Sequence, residues 1–130
     1  MNVRGIVWMG VQTERFEEMQ AFMATLLGSA PPVTEAGFAL WDLPNGDLVE
    51  LFAQGRKPAF GSGPVVGLLV DDLDAARRDL EAAGAEIVGG YGPNEDGYEA
   101  VHFRAPDGNV YEVVCDPARE RRARGRRASG

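Results

Sequence analysis

The 130-residue chain contains one cysteine, Cys115, and one histidine, His102. A lone cysteine excludes an internal disulfide and suits a reducing, cytoplasmic compartment. No apolar run approaches the roughly 20 residues that a membrane-spanning helix needs, so no membrane partner is expected. The first residues, Met1-Asn2-Val3-Arg4, run straight into a strand pattern, and no signal peptide is expected. Positive charge is scarce outside the C-terminus. The formal net charge is −7, yet residues 118–130 hold six arginines (119, 121, 122, 124, 126 and 127) against one acid, Glu120. That segment carries +5, which leaves −12 on residues 1–117. An acidic body argues against nucleic-acid binding by the fold itself, and only the Arg-rich tail offers a surface for RNA or another polyanion. The tail 118–130 is expected to be solvated and disordered, at most partly helical, without a partner.

What is present is organised around Val101–Val114, VHFRAPDGNVYEVV. Pro106 pre-sets φ for a turn, Asp107 follows, and Gly108 supplies the positive-φ residue of a bulged hairpin. Val110 to Val114 then read as a strand interrupted by one acid, Glu112. A carboxylate on a strand face is costly unless something wet, charged or functional lies opposite it. The grammar P-x-G-x-x-x-E occurs twice, from Pro44 to Glu50 and from Pro106 to Glu112. Val7-Trp8-Met9-Gly10-Val11 likewise matches Val66-Gly67-Leu68-Leu69-Val70. A period of about 60 residues, seen twice, means two copies of one supersecondary unit. The unit reads as strand–helix–strand–strand–strand.

In the first copy, Gly5–Thr13 is a strand with Val7, Met9 and Val11 on one face and Ile6, Trp8 and Gly10 on the other. Thr13 is the expected N-cap of a helix whose apolar stripe runs from Phe16 through Met19, Phe22, Met23 and Leu26 to Leu27. Gly28 ends it, and Pro31-Pro32 blocks continuation. Phe38–Leu43 and Asp47–Ala53 form a hairpin. Residues 54–64, rich in Gly and Pro, read as the linker between copies. The second copy has a strand at Val65–Val70, a helix capped by Asp72 and closed by Gly84, a short strand at Ala85–Val88, a loop at Gly89–Gly97, and the hairpin.

The fold expected is α+β: two tandem βαβββ modules, about 1–54 and 64–117, forming one domain whose curved mixed sheet encloses a cleft. The strand faces turned away from the helices line that cleft. Hairpin register adds a further residue. If Ala105 pairs with Asn109, His102 lies directly opposite Glu112, and cross-strand partners share a face. In the first copy the same register puts Leu40 opposite Glu50.

The repeated unit, the helix end at Phe22–Gly28, the V-D-D-L-D-A-A start at Val70–Ala76 and the P-D-G-N-x-x-E hairpin together resemble the vicinal oxygen chelate superfamily. That superfamily includes glyoxalase I, the bleomycin- and fosfomycin-resistance proteins and the extradiol dioxygenases. The resemblance covers about residues 5–116. It implies two metal-ligand positions per copy, one at the start of the first strand and one at the Glu of the last strand. Glu50 and Glu112 match the second kind. The first kind falls on Ile6 and Val65, which cannot coordinate a metal, so no metal or other cofactor is expected.

The expected site is therefore a small-molecule cleft. Glu112, His102 and Glu50 are its candidate catalytic groups, because an imidazole beside a carboxylate can hold or shuttle a proton. Trp8, Phe52, Leu48, Leu69, Val110 and Tyr98 are its candidate ligand-binding residues. The leading function is metal-independent sequestration or sensing of a small organic molecule, with an aromatic one suiting Trp8 and Phe52. The alternative is a glyoxalase-like lyase or isomerase, or a dioxygenase-type enzyme, using the cleft carboxylates. A homodimer is expected because small sheets have edges that need cover.

Overall fold

Alternating apolar and polar residues make strands of both copies, and one amphipathic helix follows the first strand of each. The computed structural model describes residues 1–55, 59–61 and 63–129. In order, β1 is Gly5–Thr13, α1 Phe16–Leu27, β2 Val33–Glu35, β3 Phe38–Asp42 and β4 Leu48–Ala53. The second module holds β5 Val65–Leu69, α2 Leu73–Ala82, β6 Glu86–Tyr91, β7 Glu99–Arg104 and β8 Val110–Cys115, and α3 Arg119–Ser129 follows it. The expected pair of βαβββ modules is therefore present. Its strands form one eight-stranded mixed sheet in the order β2-β3-β4-β1-β5-β8-β7-β6.

The modules join where β1 runs antiparallel to β5. Each then pairs in parallel with the last strand of its own module, β1 with β4 and β5 with β8. The cleft thus forms within one chain. Three apolar clusters follow from the alternation. Met23 of α1 packs with Ala39, Trp41, Val49 and Leu51. Leu73, Ala76 and Leu80 of α2 pack with Val101, Phe103 and Val113. The third cluster lies on the opposite face and combines Trp8, Leu48 and Phe52 of the first module with Val65 and Val110 of the second.

Several boundaries differ from expectation. Thr13 does not cap α1; its Oγ1 accepts the Arg15 N–H at 3.0 Å in the turn before the helix, and Arg15 occupies the cap position. Asp72 does cap α2, accepting the Ala75 N–H at 3.0 Å. Gly89 to Tyr91, expected in a loop, extend β6 through a register shift between Ile87 and Gly89. The second strand of the first module, β2, is a short exposed edge following Pro31-Pro32. The linker reading of 54–64 includes positions 56–58 and 62, which lie outside the described residues.

The largest correction concerns the tail. Within the segment 118–130, expected to be disordered, Arg119–Ser129 form helix α3, and Ala118 and Ala123 are buried. Position 130 lies outside the described residues. The cause is long-range: Arg119 Nε and Nη2 both donate to Asp47 Oδ1, at 3.0 and 2.7 Å. Arg122 Nη2 donates to the Gly46 carbonyl at 2.8 Å. The helix therefore docks on the β3–β4 turn of the first module. Among the described residues, no helix is long and apolar enough to cross a membrane.

Candidate functional site

Trp8 makes the floor of the cleft, and the backbone of two glycines makes room for it. A Cβ built on Gly10 would fall inside the Trp8 indole, and one on Gly67 would lie 2.9 Å from Trp8 Cβ. The ring thus lies against bare backbone of β1 and β5. Trp8 pairs with Gly67, but the register shifts between Ile6 and Trp8. Ile6 consequently pairs with Leu68, which packs against the α2 cluster. Partners across strands share a face, so Ile6 leaves the cleft face, and it is 65 % exposed. Assigning Ile6 to the first-strand ligand position is therefore incorrect. The parallel pairs Gly10–Glu50 and Gly67–Glu112 are equivalent in the two modules. Two residues upstream of those glycines stand Trp8 and Val65, both buried, and these are the matching cleft positions.

The hairpin register holds as expected. His102 faces Glu112 across β7 and β8, and Leu40 faces Glu50 across β3 and β4. His102 Nε2 lies 2.7 Å from Glu112 Oε2. The Tyr98 hydroxyl donates to the other oxygen, Oε1, at 3.1 Å. Glu112 is only 2 % exposed, so these two donors are what make its burial tolerable. The Tyr98 phenol is pushed well above its usual value, first by burial and then by the charges of Glu112 and Glu50. The acids of both modules thus act on one space. His102 Nδ1 is buried without a hydrogen-bond partner among the described residues.

Phe60 lies in the Gly- and Pro-rich segment expected to be a linker, yet it is 8 % exposed and lines the cleft. Its N–H donates to Gln12 Oε1 at 2.9 Å, which fixes the segment over β1. Its ring meets Trp8 and Phe52 edge-on, with centroids 6.0 and 5.7 Å apart, and lies 6.1 Å from the His102 ring. Together these groups bound a cavity of about 730 Å³, within the size range of small-molecule sites.

Of the expected site residues, Trp8, Leu48, Glu50, Phe52, Tyr98, His102 and Glu112 line that cavity. Two expected binding residues do not. Val110 is buried behind the floor in the Trp8 cluster. Leu69 pairs with Gly5 beyond the register shift and borders a separate hollow of about 280 Å³ beside Cys115. Sequence reasoning missed Gln12, Phe60, Asp116 and Arg122, which also line the cavity. Arg122 comes from α3 and is fixed by Asp116, whose two carboxylate oxygens lie 3.1 and 2.6 Å from Nη1 and Nη2. Only the tail's anchoring to Asp47 and Gly46 brings it there.

The sequence matches the family model of the Glyoxalase/Bleomycin resistance protein/Dioxygenase superfamily over residues 5–113. The chain belongs to this superfamily. Among solved structures of glyoxalase-superfamily proteins, the Mn(II)-bound glyoxalase from Novosphingobium aromaticivorans is similar at 25 % identity and a TM-score of 0.68, over 88 % of this chain and 39 % of that one. A superfamily member from Vibrio splendidus matches at 18 % identity and 0.63, covering 88 % of this chain and all (100 %) of the other. A methylmalonyl-CoA epimerase variant from Streptomyces coelicolor, in complex with 2-nitronate-propionyl-CoA, matches at 18 % and 0.63, over 90 % and 97 %. A comparison with curated proteins returns no match.

Glyoxalase-superfamily proteins include metal-bound enzymes such as the manganese-loaded relative. The donor set here does not fit such a centre. The cleft positions on the two first strands hold an indole and an isopropyl group, Trp8 and Val65. Among the described residues, no three of His, Cys, Asp and Glu are grouped so as to hold a metal ion.

Proposed function

We propose that the protein binds a small organic molecule in the cleft without a metal, to sequester or sense it, in a reducing cytoplasm. The observation that carries this reading is that Trp8 lines a cavity of about 730 Å³ and Val65, its counterpart on β5, is buried in the apolar cluster around it, at the two first-strand positions where the resemblance expects donor side chains. An aromatic floor and a few convergent polar groups are what small-molecule recognition uses. Elemental analysis of the purified protein, with thermal shift in Ni²⁺, Zn²⁺, Mn²⁺ and Fe²⁺, tests it. A tight site would stabilise the fold by about 3 kcal/mol at saturating ion; the expected result is no stoichiometric metal and no shift.

One observation favours a second reading, a glyoxalase-like lyase or isomerase. Glu112 is held between a phenol and an imidazole, an arrangement suited to taking and returning a proton. Turnover of a thiol hemiacetal or of methylmalonyl-CoA by the metal-free protein, lost in Glu112→Gln, would decide for it. A homodimer belongs to the same proposal, since β2 and β6 are the outer strands of the sheet. Sedimentation velocity checks it, and a monomer at micromolar concentration would remove it.

A further inference from the structure

We propose that helix α3 is part of the binding site: it clasps the two modules together across one end of the cleft, so that its docking and ligand binding strengthen each other. This rests on the reading of the cleft as a small-molecule site and adds an element beyond residues 5–113, the span of the family model. Strand register gives the cleft two ends. Leu48, Trp8, Gly67 and Glu112 are successive partners on β4, β1, β5 and β8 and make one row across its floor. Gln12, which holds Phe60, lies beyond this row in the direction of β1. Asp116, which holds Arg122, lies beyond it in the direction of β8. β8 runs parallel to β5 and therefore antiparallel to β1. Phe60 and Arg122 thus stand at opposite ends, and both border the cavity.

Helix α3 leaves the second module after β8 and is fastened to the first. Arg119 holds Asp47 of the β3–β4 turn, and Arg122 donates to the Gly46 carbonyl. Arg122 is therefore both a wall of the cavity and an anchor of the helix, reaching from Asp116 of one module to Gly46 of the other. The helix has little stability of its own. It is eleven residues long and contains Gly125, and an isolated helix of that length is marginal in water. Among the described side chains of α3, Ala123 is the one buried apolar group. Its helical state thus depends on docking, which makes it a two-state element, docked and helical or released. A ligand that fills the cleft packs on Arg122 and favours the docked state. Docking in return supplies the end wall on which the ligand rests, and such coupling is reciprocal.

Asp47 and Arg119 do not line the cavity, so a substitution at either reaches the ligand only through α3. The probe is N-phenyl-1-naphthylamine, a neutral aromatic molecule whose fluorescence rises in apolar surroundings. Fluorescence titration of the full-length protein gives Kd, and shifts of the His102 and Glu112 amides in ¹⁵N-labelled protein place the probe in the cleft. Asp47→Asn and, separately, Arg119→Gln are each expected to weaken the probe about fivefold. Arg77→Gln, which breaks the exposed Arg77–Glu81 pair on α2, should leave it within about twofold. Saturating probe should also slow amide hydrogen exchange in α3 of the wild-type protein about fivefold. That measurement needs no variant, so misfolding of one does not spoil the test. Equal or tighter binding by both variants, or exchange in α3 that the bound probe leaves unchanged, overturns the clasp and leaves the small-molecule cleft standing. Absence of probe binding by the wild-type protein overturns both.

Discussion

Glu112 accepts a hydrogen bond from Tyr98 on one oxygen and faces His102 Nε2 on the other, in a wall where it is 2 % exposed. Truncation to Glu112→Ala leaves both neighbours buried without an acceptor and should cost about 3 kcal/mol in urea denaturation. Glu112→Gln, which keeps one acceptor, should cost less than half of that. Tyr98 gives a pH prediction. Its phenol is held above the ordinary value of 10.0 by burial and by the nearby carboxylates. The folded protein therefore keeps a proton that the unfolded chain releases as pH climbs past about 10, so stability is complete below that pH and falls above it. Tyr98→Phe should flatten the alkaline limb of a Tm-against-pH curve; an unchanged slope would remove the argument. The pairing of His102 with Glu112 was legible because it needs only a local count around the three-residue loop 106–108, closed by Ala105 N–H to the Asn109 carbonyl at 2.8 Å. Ile6 was misplaced because a one-residue register shift reverses which face a side chain occupies, and nothing in the string GIVWMG announces it.

At the scale of elements, α3 is what the composition concealed. Arginine supplies six of its eleven residues, and it shows no apolar stripe from which a docked helix would be read. Its partners, Gly46 and Asp47, lie more than 70 positions upstream. The contact is close. Gly46 has φ of 90°, and a Cβ there would approach the Arg119 carbonyl oxygen to 2.7 Å. Gly46→Ala should therefore destabilise by about 2 kcal/mol, combining left-handed strain with displacement of the helix. A double-mutant cycle of Asp47→Asn and Arg119→Gln separates the two effects. It should give a coupling of about 1 kcal/mol, as expected for a two-pronged, partly buried ion pair. Additive single mutants would mean that the helix is held by something else. Gly10 carries a similar constraint on the floor: Gly10→Ala should expel the Trp8 ring and change its fluorescence, since the added methyl occupies the ring's own volume.

The two modules were readable as modules because each carries its own strand–helix–hairpin grammar. The pairing between them was not, since the repeat marks β1 and β5 as equivalent strands without saying that they lie side by side and antiparallel. That pairing has an energetic consequence. The cleft-side cluster draws Trp8, Leu48 and Phe52 from one module and Val65 and Val110 from the other, all less than 10 % exposed. Neither module alone can bury those side chains, so neither has a complete core. Urea unfolding should then be a single transition, with tryptophan fluorescence and far-ultraviolet circular dichroism superimposing. A ligand that fills the cleft touches walls from both modules and must shift that one transition as a whole, by about 2.7 kcal/mol at a hundredfold excess over Kd. Two separated transitions, with only one moved by ligand, would mean that the modules are independent and that the cleft between them is not the unit that binds.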